Sequence, residues 1–333
     1  LGLMSGTSMD GIDASIIKSD GETQYDVVFN KYFQYNDDLY QDLINLRNKI
    51  INSQDLKIYQ NDINVLEKEI TLFHAEVVND ILNESKISVD YIGFHGQTIF
   101  HNASEKISKQ LGDAYLLSQL TKKEIVYNFR ENDLKNGGQG APLTPIFHRL
   151  VTKKSEINLP ACIINIGGIT NITIITSFDI NSLKSYDIGP GNCLIDEWIR
   201  IKTKKKYDEN GEIARLGSTN EIILNQIIDN FDSKKILSFD IKDFNLNFIR
   251  GLSLEDGAST LTDFTAKIIS NVLLNISSDL HQKKINVLIC GGGRKNITLI
   301  KSIRKNTFDK FSIQIVDDYG LNGDFIESQA FAY

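Results

Sequence analysis

The chain of 333 residues is 41% hydrophobic and 24% charged, an ordinary globular composition with room for two domains of typical size. Its net charge of -7 at pH 7 does not favour binding to nucleic acid or to an anionic membrane. The sequence has no apolar run long enough to span a bilayer and no leader pattern, so we expect neither a transmembrane helix nor a signal peptide.

Residues 1–13, LGLMSGTSMDGID, open the chain with a short apolar run that gives way to small and polar residues. A second apolar run follows at residues 14–17, and this pattern of strand, tight turn and strand predicts a β-hairpin. Amides and hydroxyls at its tip suit a phosphate, while Asp10 and Asp13 suit Mg²⁺, which prefers oxygen ligands. An ordinary polar hairpin is the alternative. Because the chain begins inside a strand, we expect the N-terminus to be incomplete.

The next patterns alternate between strands and helices. They predict a strand at residues 27–33, helices at 37–51 and 63–83, a strand over 91–101, a strand at 125–129 and a helix from 147. His95, Gln97 and Thr98 are expected at a polar elbow where a strand ends, which is usual material for a binding site in an α/β sheet. A plain turn is the alternative.

Residues 136–145, NGGQGAPLTP, form the densest glycine and proline segment and predict a hinge or domain boundary. Residues 161–176 then repeat the layout of the opening stretch, with a Gly167-Gly168 turn between two apolar strands. Such a repeat suggests two related lobes with phosphates between their turns.

Residues 186–198, YDIGPGNCLIDEW, read as a strand end, a stiff Gly-Pro-Gly turn and a helix. Asp187, just before the turn, is well placed for a general base, although it could instead only accept hydrogen bonds from turn amides. Asn192 is expected to cap the following helix.

The last third predicts helices at residues 220–231 and 259–280, a buried strand from 285, a helix at 296–305 and a strand at 311–316. The buried strand ends in Gly291, Gly292 and Gly293, a bare backbone on which a flat ring or a sugar can lie. A final helix starts within residues 323–333, and Glu327 lies in its first turns. Cys162, Cys193 and Cys290 lack metal-type spacing, which fits reduced thiols in a cytoplasmic protein.

The motifs taken together closely resemble those of the anhydro-N-acetylmuramic acid kinase family, in the actin/hexokinase/Hsp70-like ATPase superfamily. They are, in order, GLMSGTSMDGID, HGQT, the Phe129-Arg130 pair, GGQGAPL, NIGGITN, YDIGPGN, CGGGRKN and GD–E–AFAY. The resemblance runs from Leu1 to Tyr333. It implies a two-lobed ribonuclease-H-like/actin-like α/β ATPase fold, with a mixed five-stranded sheet and flanking helices in each lobe.

This family resemblance also implies a division of the chain and a reaction. Residues 1–130 with 323–333 form the expected N-terminal lobe, residues 131–322 form the C-terminal lobe, and the active site lies in the cleft between them. The family uses ATP and water to open 1,6-anhydro-N-acetylmuramic acid and phosphorylate its O6, giving N-acetylmuramic acid 6-phosphate and ADP in peptidoglycan recycling. The implied cofactors are ATP and Mg²⁺. The implied partner is a small sugar, without nucleic acid or membrane, and a homodimer is left open.

The site residues implied by the resemblance fall into four groups. Asp187 is the catalytic base, and Asp10 holds Mg²⁺ through water. ATP is expected at Gly6, Thr7, Ser8, Met9, Asp10, Gly11, Ile12, Asp13, Gly167, Gly168, Asn171, Gly291, Gly292 and Gly293. The sugar is expected at His95, Gln97, Thr98, Arg130 and Glu327.

Two departures from the family pattern weaken particular assignments. Asn128 stands where the family commonly has Asp before Phe-Arg, and residues 237–243, LSFDIKD, replace a Ser-Thr-Gly-Arg-Glu-type stretch. A kinase of a sugar with a free hydroxyl, and a non-catalytic actin- or chaperone-like nucleotide-binding protein, are the alternative functions.

Overall fold

The computed structural model describes residues 1–231, 238–280 and 284–333. They form two compact units, one of Leu1–Leu150 with Asp324–Tyr333 and the other of Val151–Gly323. Residues 131–150, expected in the second lobe, therefore belong with the first unit. Within the described ranges, no helix combines the length and apolar character needed to cross a membrane.

The first unit is built on a six-stranded mixed sheet. Its strands are β1 (Gly2–Ser5), β2 (Gly11–Ser19), β3 (Tyr25–Gln34), β4 (Tyr91–Asn102), β5 (Ile107–Leu111) and β6 (Glu124–Tyr127). The order is β3-β2-β1-β4-β5, and β6 also pairs with β4. β1, β2 and β3 form an antiparallel meander, whereas β4 runs parallel to β1.

Helices connect and flank the strands of this sheet. They are α1 (Asp37–Lys49), α2 (Asp55–Ile58), α3 (Gln60–Ser85), α4 (Ala114–Thr121), α5 (Phe129–Lys135) and α6 (Pro145–Lys154), the last of which begins in this unit. Asn36 caps α1 by accepting the amide hydrogen of Leu39. Leu39, Leu43 and Leu46 follow at helical spacing and are buried, which is the pattern that predicts this helix.

The second unit has a five-stranded mixed sheet and its own core. Its strands are β7 (Ala161–Ile166), β8 (Ile169–Ile175), β9 (Lys184–Pro190), β10 (Ile285–Cys290) and β11 (Phe311–Ile315). Its helices are α7 (Cys193–Lys202), α8 (Glu212–Leu216), α9 (Glu221–Asn230), α10 (Leu254–Leu280) and α11 (Ile297–Thr307). The strand order is β11-β10-β7-β8-β9.

The two sheets repeat one topology. In each, the first strand of a three-stranded antiparallel meander pairs on its other side with a parallel strand, giving β3-β2-β1-β4 and β9-β8-β7-β10. The predicted fold class, a mixed α/β sheet in each half of the chain, is therefore confirmed. The internal repeat inferred from two short hairpins extends to whole sheets.

The predicted elbow at His95–Thr98 was wrong in its position. β4 continues through it, and Gly96 takes a positive φ of 73°. On one edge the strand pairs with β6 up to Phe94 and with β5 from Gln97 onward. The polar residues therefore mark a change of pairing partner within one long strand, because glycine permits the local bend.

The final helix, α12 (Ile326–Ala332), lies on the first sheet where two glycines leave room for it. A Cβ at Gly2 would stand 1.9 Å from the Ser328 carbonyl oxygen, and one at Gly93 would stand 1.8 Å from that of Phe331. The hydroxyls of Ser15 and Ser328 are hydrogen-bonded at 2.6 Å. The helix approaches the backbone of parallel neighbours β1 and β4 closely, and a side chain on either glycine would displace it.

We therefore expect Gly93→Ala to lower the free energy of unfolding by about 1–3 kcal/mol, the usual cost of overpacking. The measurement is urea unfolding followed by circular dichroism. Gly251→Ala is the matched control, because nothing lies within 4 Å of its Cβ position and its φ is not positive. Equal stability of the two variants would contradict the close packing of α12.

Candidate active site

The first hairpin turn joins β1 to β2 through residues 6–10. Met9 has a positive φ of 58°, and its amide donates to the Gly6 carbonyl at 3.2 Å. Its side chain is 1% exposed and packs in the core, while Thr7 and Ser8 are exposed. The turn is thus anchored by one buried side chain and presents backbone and hydroxyl groups to solvent, as a phosphate loop requires.

Four donors from neighbouring elements hold the carbonyl oxygens of this turn. They are Gln97 Nε2 on Gly6 at 2.9 Å, Arg47 Nη1 on Thr7 at 3.0 Å, and both the Tyr32 hydroxyl and the Tyr35 amide on Asp10 at 2.9 Å. Because these carbonyls are already bonded to the scaffold, the turn keeps a fixed shape before any ligand arrives.

Three of the residues predicted to bind ATP support the turn through the sheet. Ile12 is fully buried in the core. Gly11 has no room for a side chain, since its Cβ would stand 2.4 Å from the Phe33 carbonyl oxygen. Asp13 lies in β2 opposite Met4 of β1 and is half-buried. Thr7 and Ser8 are exposed and Asp10 is half-buried, so these side chains of the turn remain open to solvent.

His95 and Arg130, both predicted at the sugar site, are in direct contact. The Arg130 guanidinium donates to His95 Nε2 through Nε at 3.2 Å, and its Nη2 lies 3.0 Å from the same His95 atom. Its Nη1 donates to the Gly140 carbonyl at 2.7 Å. His95 Nδ1 lies 2.7 Å from the Gly96 carbonyl oxygen, so the ring carries its proton on Nδ1. The HGQT and GGQGAPL segments are thereby joined by one arginine.

Burial keeps the described histidines neutral. It lowers the pKa of His95 to about 3, with the Arg130 charge adding to the effect. Burial also lowers the pKa of His74 to about 4, that of His148 to about 3 and, together with Arg130, that of His101 to about 4. His95 is therefore an acceptor for Arg130 rather than a charged group.

The other residues predicted at the sugar site are less closely connected. Gln97 is fully buried and donates to the Gly6 carbonyl of the first hairpin turn, while its Oε1 is buried without a partner. The Thr98 hydroxyl accepts from Gln110 at 3.2 Å, and Glu327 lies half-buried in the first turn of α12. Asn128 precedes α5 with a φ of 61° and contacts Glu131.

In the second unit, the Gly167-Gly168 turn is bonded to the end of the Gly-Pro-Gly segment. The amides of Gly191 and Asn192 donate to the carbonyls of Gly168 and Gly167 at 2.9 and 2.8 Å. A Cβ at Gly191 would lie 2.3 Å from the Gly167 oxygen, so only glycine fits there. The expected side-chain cap by Asn192 was wrong, because Asn192 Nδ2 instead donates to the Ile166 carbonyl at 3.4 Å.

The Gly291–Gly293 turn packs against the end of β7. Gly291 has a φ of 77°, and its Cβ would stand 2.3 Å from Asn165 Oδ1. Arg294, 7% exposed, fixes the turn by donating to the Gly291 carbonyl at 3.1 Å and to both Asp317 carboxylate oxygens at 2.6 and 3.0 Å. Partial burial alone would raise the pKa of the Asp317 carboxyl. The hydrogen bonds and charge of Arg294 outweigh this effect and hold that pKa below its usual range.

Asp187 is 5% exposed and lies inside β9, which runs on to Pro190. It was expected at the strand end, but the Gly-Pro pair belongs to the strand, since Pro190 pairs with Ile169. Its Oδ2 accepts the amide hydrogen of Phe239 at 2.9 Å. The Phe239 ring packs 5.2 Å from that of Phe244, so an aromatic contact positions the amide that orients Asp187.

Three polar residues form a row across the second sheet. Asn165 of β7 pairs with Asn171 of β8, which pairs with Asp187 of β9. Directly opposite residues of antiparallel strands project from the same face. The side-chain oxygens of Thr170 and Asn171 are buried without a hydrogen-bond partner, and such unsatisfied groups in a native structure call for an explanation such as a ligand.

A profile of the anhydro-N-acetylmuramic acid kinase family matches residues 1–333. The chain belongs to this family. The anhydro-N-acetylmuramic acid kinase of Pelagibacter ubique (strain HTCC1062) is 58% identical over 336 residues, covering 100% of this chain and 90% of that protein. The corresponding kinase of Zymomonas mobilis is 36% identical over 347 residues, covering 100% and 91%.

Among solved structures, the activator of the 2-hydroxyisocaproyl-CoA dehydratase from Clostridium difficile, with bound ADPNP, aligns with 13% identity and a TM-score of 0.49. The alignment covers 99% of this chain and 91% of the activator chain.

The family and the kinase function predicted from the motifs are confirmed by these matches. The roles of individual residues in this anhydro-N-acetylmuramic acid kinase family member stay predictions. Within each unit, the structure joins His95, Gln97 and Arg130 to glycine-rich segments, and it aligns Asn171 with Asp187. Asn165 was missed, although it stands in the NIGGITN motif, because its place in the row depends on strand register.

Asp10 is the candidate protein ligand for Mg²⁺. Asp10 Oδ1 accepts a hydrogen bond from the Ser8 hydroxyl at 2.6 Å, so its carboxylate is held at the edge of the first hairpin turn. Mg²⁺ usually binds one or two carboxylates and keeps several waters, which suits such a position. Over residues 1–231, 238–280 and 284–333, no cluster of three or more metal-ligating side chains occurs, so a closed protein cage is not present there.

The histidine pKa values predict a stability that falls in mild acid. A folded pKa below the unfolded value of about 6.5 means that the unfolded chain binds more protons. The contribution of each group is complete above pH 6.5 and is lost as the pH falls toward its folded pKa, by up to ~1.4 kcal/mol per pH unit. Urea unfolding between pH 7 and pH 5 measures this slope.

His101→Gln is expected to make the slope shallower, because one histidine no longer takes up a proton on unfolding. For each protein, the free energy of unfolding at lower pH is compared with its own value at pH 7. A slope equal to that of the wild type would show that His101 is not held neutral by burial.

Proposed function

We propose that the chain is an ATP-dependent hydrolytic kinase that opens 1,6-anhydro-N-acetylmuramic acid and phosphorylates O6, giving N-acetylmuramic acid 6-phosphate and ADP. This is the peptidoglycan-recycling reaction of its family. The observation that carries the proposal is Asp187, a nearly buried carboxylate oriented by the Phe239 amide. Its neighbour across the strand pair, Asn171, follows a glycine turn that suits a phosphate.

Phosphoryl transfer mainly requires positioning and charge neutralisation. In this proposal, ATP binds to the turns at residues 6–10, 167–168 and 291–293. The first turn supplies hydroxyls and amides on a scaffold whose carbonyls are already bonded. Asp10 would hold Mg²⁺, which would supply positive charge to the phosphates.

The sugar explains why a single carboxylate is sufficient. O6 of the anhydro sugar is part of an internal acetal and carries no proton. Water attacks the anomeric carbon, the bond from that carbon to O6 breaks, and O6 forms its new bond to the γ-phosphorus as ADP leaves. Asp187 accepts one proton from the water. Ordinary glycosidases need a second carboxyl group to protonate the leaving oxygen, whereas here phosphorus captures it.

His95 and Arg130 have different roles in this scheme. Because the Nε2 atom of His95 accepts hydrogen bonds from Arg130, the histidine does not serve as the base. Instead it holds the guanidinium, a fixed positive charge suited to the carboxylate of the sugar's lactyl group. Gln97, Thr98 and Glu327 complete the proposed sugar contacts. The cytoplasmic location, the homodimer and the meeting of both units around the ligands stay predictions.

Asp187→Asn is expected to lower turnover by about 10²–10⁴-fold, the usual contribution of general-base catalysis. The amide keeps the shape and can still accept the Phe239 amide hydrogen, but it cannot take the proton from water. Coupled measurement of ADP release checks the rate, and calorimetry checks that nucleotide affinity is unchanged. Asp196→Asn, a first-turn residue of α7, is the matched control. Near-normal turnover of Asp187→Asn would remove this residue from the mechanism.

Turnover in ¹⁸O-labelled water tests the reaction itself. We expect the label on the anomeric oxygen of the product, because water supplies that oxygen. The product is reduced at once with borohydride and weighed by mass spectrometry, since a free anomeric centre slowly exchanges oxygen. A phosphorylated product without label would instead indicate a kinase acting on a free sugar hydroxyl.

A further inference from the structure

The side chain of Asn171 has no assigned partner although it faces the proposed base. It is the Cα partner of Asp187 in the β8–β9 pair, and directly opposite residues have Cβ atoms about 4.5–5.5 Å apart on one face of the sheet. Asn171 Oδ1 is buried and has no hydrogen-bond partner among the described residues. A buried carbonyl oxygen without a donor is costly unless a ligand supplies one.

The local backbone explains why the two side chains share a face. The register of β8 and β9 shifts between Thr170 and Asn171, which pair with Gly189 and Asp187. Ile188 is therefore an extra residue in β9, and its side chain is 1% exposed in the core. Such a bulge re-aims neighbouring side chains and is common beside active sites.

On the neighbouring strand, Asn165 does not satisfy Asn171. The carboxamide oxygen of Asn165 accepts the Cys290 thiol at 3.8 Å and faces the Gly291 turn. Asp187 Oδ2 is occupied by the Phe239 amide. The Asn171 oxygen is thus an acceptor beside a carboxylate, with neither neighbour in the row donating to it.

We propose that Asn171 is a positioning residue for the attacking water. A water molecule has two O–H groups. In the proposed reaction, one proton passes to Asp187 as the oxygen attacks the anomeric carbon, and the other O–H donates to Asn171 Oδ1. That hydrogen stays on the oxygen and becomes the anomeric hydroxyl of the product. Two acceptors on one face fix the direction of the water's lone pair, which a single carboxylate does not.

This inference rests on the proposed function and changes the role of one residue within it. The family resemblance placed Asn171 among the ATP contacts. A nucleotide contact and a water contact predict different kinetics. Loss of a nucleotide contact raises the KM for ATP, whereas loss of an interaction made in the transition state lowers kcat and leaves that KM unchanged.

The first experiment uses Asn171→Ala in the full chain. We expect kcat with the 1,6-anhydro sugar to fall by about 10- to 100-fold, the effect of losing one hydrogen bond to a reacting group, with the KM and Kd for ATP unchanged. Thr173→Val is the control, because Thr173 lies two residues further along β8 and pairs with Ser185. A raised Kd for ATP with unchanged kcat would overturn the proposal.

Asn171→Asp tests the premise that the side chains of residues 171 and 187 face each other. A carboxyl group opposite Asp187 disfavours its charged form, so the acid limb of the kcat profile is expected to shift to higher pH by about one unit or more. An acid limb at the wild-type position would also overturn the proposal.

Turnover of the wild type in ¹⁸O-labelled water distinguishes failure of the proposed function from failure of the proposed role of Asn171. If the wild type does not place label at the anomeric carbon, the proposed function fails. If it does and Asn171→Ala keeps full kcat, only the role of Asn171 fails.

Discussion

Hydrogen bonds between two glycine-containing segments hold together the candidate site residues of the second unit. The Gly191 and Asn192 amides donate to the Gly168 and Gly167 carbonyls, and this contact closes only because residue 191 has no side chain. It fixes the distance between the turn after β7 and the end of β9. Through that connection, Asp187 keeps a constant position relative to the glycine turn.

The first unit uses the same principle with different donors. Side chains from α1, β3 and β4 donate hydrogen bonds to the carbonyls of its hairpin turn, so the turn keeps a fixed shape. Preorganised donors and dipoles are effective because they need no rearrangement when charge develops. In both halves of the chain, the carbonyl side of a turn is bonded to the scaffold, which is the arrangement that the proposed phosphate contacts require.

Local patterns in the sequence were sufficient to predict most strands, most helices and the three glycine turns, although β5 (Ile107–Leu111) was missed. Apolar periodicity and small-residue clusters are properties of neighbouring residues. The Gly-Pro-Gly cluster also made Asp187 a candidate for the general base. The contact of Gln97 with Gly6 spans 91 positions, and the row from Asn165 to Asp187 depends on the register of three strands. No local pattern reports either one. Residues 233–248 received no prediction, and of these, 233–237 lie outside the described residues.

The last helix gives the chain an order of assembly. Asp324–Tyr333 belongs to the first unit but follows the entire second unit in sequence. During synthesis, the backbone at Gly2 and Gly93 stays uncovered by α12 until the second unit has emerged. The second unit is contiguous and can complete its core alone, whereas the first remains unfinished while the ribosome adds the intervening residues. Truncation before residue 324 would thus damage the part of the protein that was made first.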